Sequence, residues 1–316
     1  MLLTILFLIL GIAILIYGAD AMVKGSASIA KRLGISTIVI GLTVVAFGTS
    51  APEMVVNLFS ATSGTTDLAI GNIIGSNIAN ILLILGITAI IAPLAVKKNT
   101  TYKEIPFALL AVIIVLIFGN DVLINGYGSN FLDRTEGITL IMFFIIFLYY
   151  TFGLSKVEGD HEDVKTYSVG KSLLLFIIGL VGLIIGGKVI VDNAVVLAKL
   201  AGMSERLIGL TIVAVGTSLP ELATSIVAVF KKQTDIAIGN AVGSNIFNVF
   251  WVLGLTAIVK PIPFDVNING DVIMSIIATL LLFIFMFVHH KHRLNRWQGV
   301  FFVLLYFAYI TFIIVK

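Results

Sequence analysis

The sequence predicts an all-α integral membrane protein with ten transmembrane helices, arranged as two inverted five-helix repeats with broken helices at the membrane midplane. Three observations lead to this fold class. The chain is very apolar, with a mean hydropathy of +1.12 and 12% charged residues, whereas soluble domains contain about 25% charged residues. Its apolar residues fall into ten long stretches, and two motifs each occur twice at one fixed separation. Such a chain has too few polar groups to cover the surface of a water-soluble fold.

Each of the ten stretches is long enough to cross the hydrocarbon layer, which requires about 20 mostly apolar residues in a helix. The first and the sixth are longer than this, so they are expected to tilt or to project beyond the bilayer. No basic residue precedes the first stretch, which favours a retained helix over a cleaved signal peptide. The predicted spans are 2–30, 36–60, 67–92, 103–120, 135–153, 171–200, 204–230, 235–259, 271–289 and 297–315.

The basic residues predict the orientation of these spans. If the N-terminus is outside, thirteen Lys and Arg residues lie in inside loops and five lie outside. Because cytoplasmic loops carry the excess of Lys and Arg, both termini are expected on the extracellular side of the cell membrane.

A polar segment, 155–168, is predicted to be a cytoplasmic linker between the first repeat, 1–154, and the second repeat, 169–316. Weak cation binding by His161 and its acidic neighbours is an alternative to a solvated run of charges. The chain has no cysteine, which excludes disulfides and thiolate metal sites. Its net charge of +3 is too small to indicate nucleic-acid binding.

The internal repeat is the most informative feature of the sequence. GLTVVAFGTSAPE at 41–53 matches GLTIVAVGTSLPE at 209–221 in 10 of 13 positions. DLAIGNIIGSNIAN at 67–80 matches DIAIGNAVGSNIFN at 235–248 in 10 of 14 positions, with the same offset of 168 residues. Each repeat holds five predicted spans, an odd number, so the second must enter the membrane from the opposite side. Many secondary transporters have this inverted architecture.

Each repeat carries a proline near the middle of a predicted span, Pro52 or Pro220, and a proline there interrupts a helix. Ser50 with Glu53, and Ser218 with Glu221, fit the spacing of a capping box at the start of a new half-helix. Free carbonyls in hydrocarbon are costly unless something coordinates them. The carbonyls expected to be freed are those of Ala46, Phe47 and Gly48, and of Ala214, Val215 and Gly216.

Glu53 and Glu221 are acids near the centres of predicted spans without a nearby basic residue. Placing a charged side chain there costs about 2.5–3.5 kcal/mol or more, which favours a functional role. Each glutamate could instead merely cap its own half-helix. A matched pair on two inverted halves favours cation binding, since calcium takes carboxylate, carbonyl and amide oxygens.

The second repeated motif adds neutral oxygen ligands. Ser76 and Asn80 are four residues apart and share a helix face, and Ser244 and Asn248 repeat this spacing. Asn77 and Asn245 lie off that face, and helix packing is the preferred interpretation for them.

Two further pairs of charged residues follow the same register. Asp20 and Lys24 in the first span correspond to Lys188 and Asp192 in the sixth, with the signs exchanged. Each pair can neutralise itself within one helix. A structural role is favoured, and a gating role is the alternative.

Two copies of G-T-S-x-P-E, each followed by G-N-x-x-G-S-N, resemble the α-repeats of the cation/calcium exchanger superfamily, and most closely those of prokaryotic sodium/calcium exchangers. The resemblance covers nearly the whole chain. It implies a secondary antiporter that exchanges sodium for calcium by alternating access. It implies no enzymatic activity, no cofactor, and no partner besides the transported ions and the lipid bilayer.

The resemblance also implies a set of ligands. Calcium would bind Glu53 and Glu221 together with Thr49 and Thr217. Sodium would use these groups with further hydroxyls and two backbone carbonyls, and two amides would complete the centre. The additional residues are Ser50, Ser218, Ser76, Ser244, Ala46, Ala214, Asn80 and Asn248.

Asn248 is the one departure from part of the superfamily, because some relatives carry Asp there. The departure leaves the ion stoichiometry and any need for potassium open. A proton/calcium antiporter is the nearest alternative function. A cation channel and an intramembrane enzyme are more distant ones, and the chain has neither the H-E-x-x-H nor the G-x-S-x-G motif.

The predicted topology can be tested with engineered cysteines, because the native chain has none. In intact cells, Gly159→Cys should be protected from a membrane-impermeant thiol reagent, whereas a cysteine appended after Lys316 should react. The reverse labelling pattern would contradict the assigned orientation.

Overall fold

The computed structural model describes residues 2–63, 67–126, 128–154, 165–202, 214–288 and 291–315, and these fold almost entirely into helices. The helices of the first half are α1 (Leu2–Leu33), α2 (Thr37–Thr49), α3 (Ala51–Ser63), α4 (Asp67–Ile78, continued by Ala79–Leu85 and Gly86–Ile91), α5 (Thr100–Phe118), α6 (Asp121–Asn125) and α7 (Arg134–Leu154). Those of the second half are α8 (Val169–Leu200), α9 (Ala214–Thr217), α10 (Leu219–Phe230), α11 (Thr234–Phe247, continued by Asn248–Leu253 and Gly254–Val259), α12 (Asn269–Phe285) and α13 (Arg296–Val315).

Eight of the described helices are long and apolar enough to cross a membrane, and the bent pair α2–α3 adds a ninth. They correspond to nine of the ten predicted spans, with ends that differ by a few residues. The remaining prediction, 204–230, falls partly on 203–213, which lie outside the described residues. Its described part includes α10, an apolar helix of 12 residues.

The two helices that carry the second repeated motif form the centre of the protein. In the apolar part of α4 and of α11, 78% of the residues are buried, against 22% to 44% in the other candidate spans. The outer helices instead expose large apolar side chains, among them Leu6, Ile145 and Leu304. This arrangement suits a hydrocarbon environment, because apolar side chains on the outside face lipid while backbone polar groups are satisfied within each helix.

α4 and α11 both contain a π-helical turn that the sequence analysis did not predict, Ala79–Leu85 and Asn248–Leu253. A π-turn inserts one extra residue into the helical repeat and often marks a functional position. Asn80 and Asn248 both lie in these turns.

Glycines allow α1 and α8 to pack with their backbones in contact. A Cβ atom on Gly179 would lie 2.4 Å from the backbone nitrogen of Met22, and one on Gly18 would lie 2.8 Å from that of Leu183. Small residues at such crossings permit the close approach on which helix association in membranes depends. α2 packs against α11 in the same way, since a Cβ on Gly243 would lie 2.6 Å from the carbonyl oxygen of Leu42.

The predicted ion pairs within helices are present. Asp20 lies 2.5 Å from Lys24, and Lys188 lies 3.1 Å from Asp192. Asp20 also contacts Lys231 at 2.5 Å, which connects α1 to the residue that follows α10. Sequence spacing gave no indication of this third contact, because its partners are distant in the chain. A gating role for these pairs stays a prediction.

Two short antiparallel strand pairs join loops of the two halves. β1 (Leu94–Ala95) pairs with β4 (Arg293–Leu294), and β2 (Phe131–Leu132) pairs with β3 (Ile262–Pro263). Two-residue strands have no detectable periodicity, so the sequence could not predict them.

Gly179→Ala should destabilise the protein by about 1–3 kcal/mol, because the added methyl group meets backbone atoms of α1 that cannot rotate away. Gly170→Ala, on the same helix, is the matched control, since a Cβ there has no described atom within 4 Å. Thermal unfolding of the detergent-purified variants measures both. Equal melting temperatures for the two variants would contradict the close α1–α8 packing.

Candidate cation-binding site

The candidate site forms where two helices are interrupted. α2 ends at Thr49 and α3 begins at Ala51, with a bend of 45° between them. Ser50, at the junction, has φ −82° and ψ 6°. At the second interruption, Ser218 has φ −87° and ψ 4° between α9 and α10. The predicted interruption of helical structure is therefore present in both repeats.

A proline causes each interruption. Pro52 and Pro220 lie in the first turn of α3 and α10, where a missing amide proton is tolerated. Each proline deprives the carbonyl four residues earlier, on Gly48 or Gly216, of its helical donor. A glutamate follows each proline directly and so lies beside the interrupted backbone.

The interruption is shorter than the sequence analysis expected. The carbonyl oxygen of Ala46 accepts a hydrogen bond from the Ser50 amide at 3.0 Å, and the Thr49 hydroxyl oxygen lies 3.4 Å from it. In the second copy, the Ser218 amide donates to the carbonyl of Val215 at 3.1 Å. The prediction of freed carbonyls is therefore wrong for Ala46 and Val215. The reason is that a proline removes only its own N–H donor, while the N–H groups of the neighbouring residues still bond to helix carbonyls.

The serines at the breaks reach across the site instead of capping helices. Ser218 precedes α10 but makes no side-chain capping bond, and its Oγ donates to the Oγ of Ser76 at 3.5 Å. The Oγ of Ser50 donates to Oε1 of Glu221 at 3.2 Å. The predicted capping box is therefore wrong at Ser218. Both serines contact a residue of the other repeat, so the two breaks lie close together.

Glu53 and Glu221 are 0% and 1% exposed. Oε1 of Glu53 accepts a hydrogen bond from the Ser76 hydroxyl at 3.4 Å, and the Thr217 hydroxyl also bonds to this carboxylate. The two carboxyl groups are near enough for their charges to repel each other. The Ser50 hydroxyl donates to the Glu221 carboxylate, and the hydroxyls of Thr49 and Ser244 lie beside the same carboxylate.

Four buried oxygen atoms of the predicted ligands have no hydrogen-bond donor within the described parts of the chain. Two are the Oε2 atoms of Glu53 and Glu221, and two are the Oδ1 atoms of Asn80 and Asn248. The members of each pair are 168 residues apart in the sequence. A buried acceptor without a donor is costly, and such groups in a native structure need an explanation. Carboxylate and amide oxygens of this kind are the ligands that a hard cation such as calcium takes.

The structure gathers the predicted hydroxyl residues into two groups, one around each carboxylate. Ser76, Thr217 and Ser218 lie around Glu53, and Thr49, Ser50 and Ser244 lie around Glu221. The amide residues Asn80 and Asn248 lie in α4 and α11, one turn beyond Ser76 and Ser244. Ala46 and Ala214 lie in α2 and α9, the helices that precede the breaks.

Asn240 was not predicted as part of the site, yet it supports it directly. Its Oδ1 accepts a hydrogen bond from the Thr49 hydroxyl at 2.9 Å. Its Nδ2 donates to the carbonyl of Glu221 at 3.2 Å and to the hydroxyl of Ser225 at 3.1 Å. The signal was present in the sequence, because Asn240 lies four residues before Ser244 and so shares its helix face.

The arrangement agrees with what comparisons with known proteins find. The profile of the family described as "Sodium/calcium exchanger protein" matches residues 3–153 and 171–315. This chain belongs to that family. The sodium/calcium exchanger MaX1 of Methanosarcina acetivorans is 30% identical over an alignment of 341 positions, which covers 97% of both chains. The inner membrane protein YrbG of Escherichia coli is 37% identical over 297 residues, which cover 89% of both chains.

A solved structure supports the same assignment. The sodium-calcium exchanger NCX_Mj matches with a TM-score of 0.84 and 36% sequence identity, over 98% of both chains. The protein is therefore a multi-pass membrane exchanger of cations, and neither the enzyme nor the channel alternative holds. The ions that it carries are its substrates.

Asn240→Leu should destabilise the folded protein by about 1–3 kcal/mol, because it leaves buried partners of Asn240 without their hydrogen bonds. The matched control is Asn72→Leu at the equivalent position of the first repeat, where the Nδ2 atom is buried without an acceptor among the described residues. Removing an unsatisfied group should cost little. Thermal unfolding in detergent measures the difference. An equal loss in both variants would contradict the supporting role of Asn240.

Proposed function

We propose that this exchanger is a sodium/calcium antiporter of the cell membrane that works by alternating access. The observation that carries the proposal is the pair of buried carboxylates, Glu53 and Glu221, each with one oxygen that lacks a donor in the described chain. In this proposal, ten spans form two inverted repeats, 1–154 and 169–316, joined by a cytoplasmic linker at 155–168. Both termini lie outside the cell.

The charge of the site explains why one ion must replace another. Two ionised carboxylates in a buried site repel each other and have lost their hydration, so an empty site is costly. One calcium ion or two sodium ions neutralise the pair equally well. The transporter is therefore stable when loaded with either ion, which favours exchange over leak. If three sodium ions move per calcium ion, one net charge crosses, which is worth about 2.3 kcal/mol per 100 mV.

We assign calcium to the two carboxylates together with the hydroxyls of Thr49 and Thr217. Sodium ions would share these groups. Calcium takes oxygen ligands from carboxylates, hydroxyls, carbonyls and waters, and the two carboxylates would supply the charge that it needs. The additional sodium ligands would come from Ser50, Ser218, Ser76, Ser244 and the carbonyls of Ala46 and Ala214, with the amides of Asn80 and Asn248 completing the centre. Because the Ala46 carbonyl already accepts from the Ser50 amide, it would bind sodium through its second lone pair.

Support for these ions comes from the structural relative. Structures of NCX_Mj were obtained after soaking with Na⁺ and Ca²⁺, and with Na⁺ and Sr²⁺. Protons are the competing counter-ion, because two carboxylates could carry protons in place of sodium. Calcium-45 uptake distinguishes sodium/calcium from proton/calcium exchange. It is measured in proteoliposomes loaded with sodium, with potassium, or with an acidic buffer that sets an outward proton gradient. If a proton gradient alone drives calcium uptake, the counter-ion is the proton and the proposed sodium coupling is wrong.

Glu53→Gln and Glu221→Gln should each abolish or severely impair sodium-driven calcium exchange. Glutamine keeps the shape of the side chain but removes one of the two charges that balance a calcium ion. The measurement is calcium-45 uptake by purified, monodisperse variants in sodium-loaded proteoliposomes.

The matched control is Glu104→Gln. Glu104 is also buried, at 2% exposure, and its carboxylate bonds to Tyr150 in a different part of the fold. This variant should exchange calcium at close to the parental rate. If either Glu53→Gln or Glu221→Gln does the same, that glutamate is structural and the proposed mechanism is wrong.

A further inference from the structure

Four asparagines of α4 and α11 form a hydrogen-bonded cluster, which we call the asparagine ring. Reciprocal bonds between Asn77 and Asn245 close the ring, and Asn80 and Asn248 bond to it from its two ends. Asn77 Nδ2 donates to the carbonyl of Asn245 and Asn245 Nδ2 donates to the carbonyl of Asn77, both at 3.2 Å. Asn80 Nδ2 donates to Oδ1 of Asn245 at 2.9 Å, and Asn248 Nδ2 donates to Oδ1 of Asn77 at 3.1 Å. The predicted packing role of Asn77 and Asn245 is confirmed, since they connect the two central helices.

The ring also determines which way each amide points. An amide side chain has an oxygen end that accepts and a nitrogen end that donates, and the two ends are nearly equal in size. A backbone carbonyl can only accept, so the carbonyl of Asn77 requires the nitrogen end of Asn245 beside it. Oδ1 of Asn245 must then face the other way, towards Asn80. It accepts from the nitrogen end of Asn80, which leaves Oδ1 of Asn80 at the far end.

The carbonyl of Asn245 likewise requires the nitrogen end of Asn77 beside it. Oδ1 of Asn77 then accepts from the nitrogen end of Asn248. The result is that Asn80 and Asn248 keep buried Oδ1 atoms without a described donor. All four residues are at most 1% exposed, so water is not available to stabilise a flipped amide.

We propose that Asn77 and Asn245 are positioning residues that hold the amides of Asn248 and Asn80 with their oxygen ends free to bind the transported cation. This inference rests on the proposed function, because it takes the free amide oxygens as ligands. A flipped amide would present its nitrogen end, with a partial positive charge, to the cation. Asn77 and Asn245 thereby act on ion affinity through another residue and without touching the ion.

The proposal is tested by replacing the acceptor that orients Asn248. Asn77→Leu should raise the KM for calcium by about 10- to 100-fold, the usual effect of removing a residue that orients a metal ligand. The maximal rate of exchange should change less than KM, since the carboxylates remain. Asn193→Leu is the matched control, because Asn193 lies on α8 and bonds to its own helix at Val189. Its KM for calcium should equal the parental value.

A rescue experiment separates orientation from packing. A carboxylate offers an oxygen at either end, so Asn248→Asp removes the need for orientation at this position. In the Asn248→Asp background, Asn77→Leu should therefore raise KM by about threefold or less, a coupling that a double-mutant cycle measures. An equal rise in KM on adding Asn77→Leu to the parental protein and to the Asn248→Asp variant would overturn the proposal. A folded Asn77→Leu variant with the parental KM would also overturn it.

Asn245→Leu keeps the test decisive if Asn77→Leu does not purify as a monodisperse protein. It removes the Oδ1 acceptor that orients Asn80 and leaves the bond between Asn248 and Asn77 in place. The proposal predicts a rise in the KM for calcium of about 10- to 100-fold, as for Asn77→Leu. A parental KM in a monodisperse Asn245→Leu protein would overturn it. Absence of exchange by the parental protein itself would instead refute the proposed function.

Discussion

The structure depends on one electrostatic constraint, the burial of two glutamates at neighbouring helix breaks. Each carboxylate receives hydroxyl donors, but hydroxyls do not neutralise charge. An unpaired buried charge costs several kcal/mol, so the two carboxyl groups require protons or cations within the site. The prolines, serines and threonines of both motifs serve this constraint, because they end one helix, begin the next and bring polar side chains towards the carboxylates.

The central helices supply a rigid and polar frame for this site. α4 and α11 are mostly buried, and they carry the asparagine ring in place of an apolar interface. In a membrane, an apolar helix surface gains little by leaving lipid for another helix. Close packing and polar contacts therefore decide which helices associate. The reciprocal bonds to backbone carbonyls tie the two helices at one register. They also fix which end of each amide faces the neighbouring helix.

The two copies of the motif are similar in sequence but differ in their contacts. Asn240 makes three hydrogen bonds, including one to the Thr49 hydroxyl, whereas the amino group of Asn72 is buried without an acceptor among the described residues. Asp20 bonds to Lys231, while the equivalent pair of Lys188 and Asp192 is largely exposed. Equivalent positions of the two repeats therefore have unequal surroundings in this structure.

The sequence by itself determined the helical membrane fold, the positions of nine spans, the two breaks and the pair of glutamates. The spans and breaks depend on local chemistry, because an apolar stretch favours a membrane helix and a proline interrupts it whatever the rest of the fold. The glutamate pair follows from the repeat, whose fixed offset identifies equivalent residues. Only the tertiary structure decided which donor each polar group receives. The carbonyl of Ala46 is occupied, Ser218 reaches Ser76, and Asn240 supports Glu221, because these bonds depend on helix crossings set by close backbone contact. The asparagine ring has the same origin. Its bonds join residues 77 and 80 to residues 245 and 248, and no local rule indicates which end of an amide will face the ion.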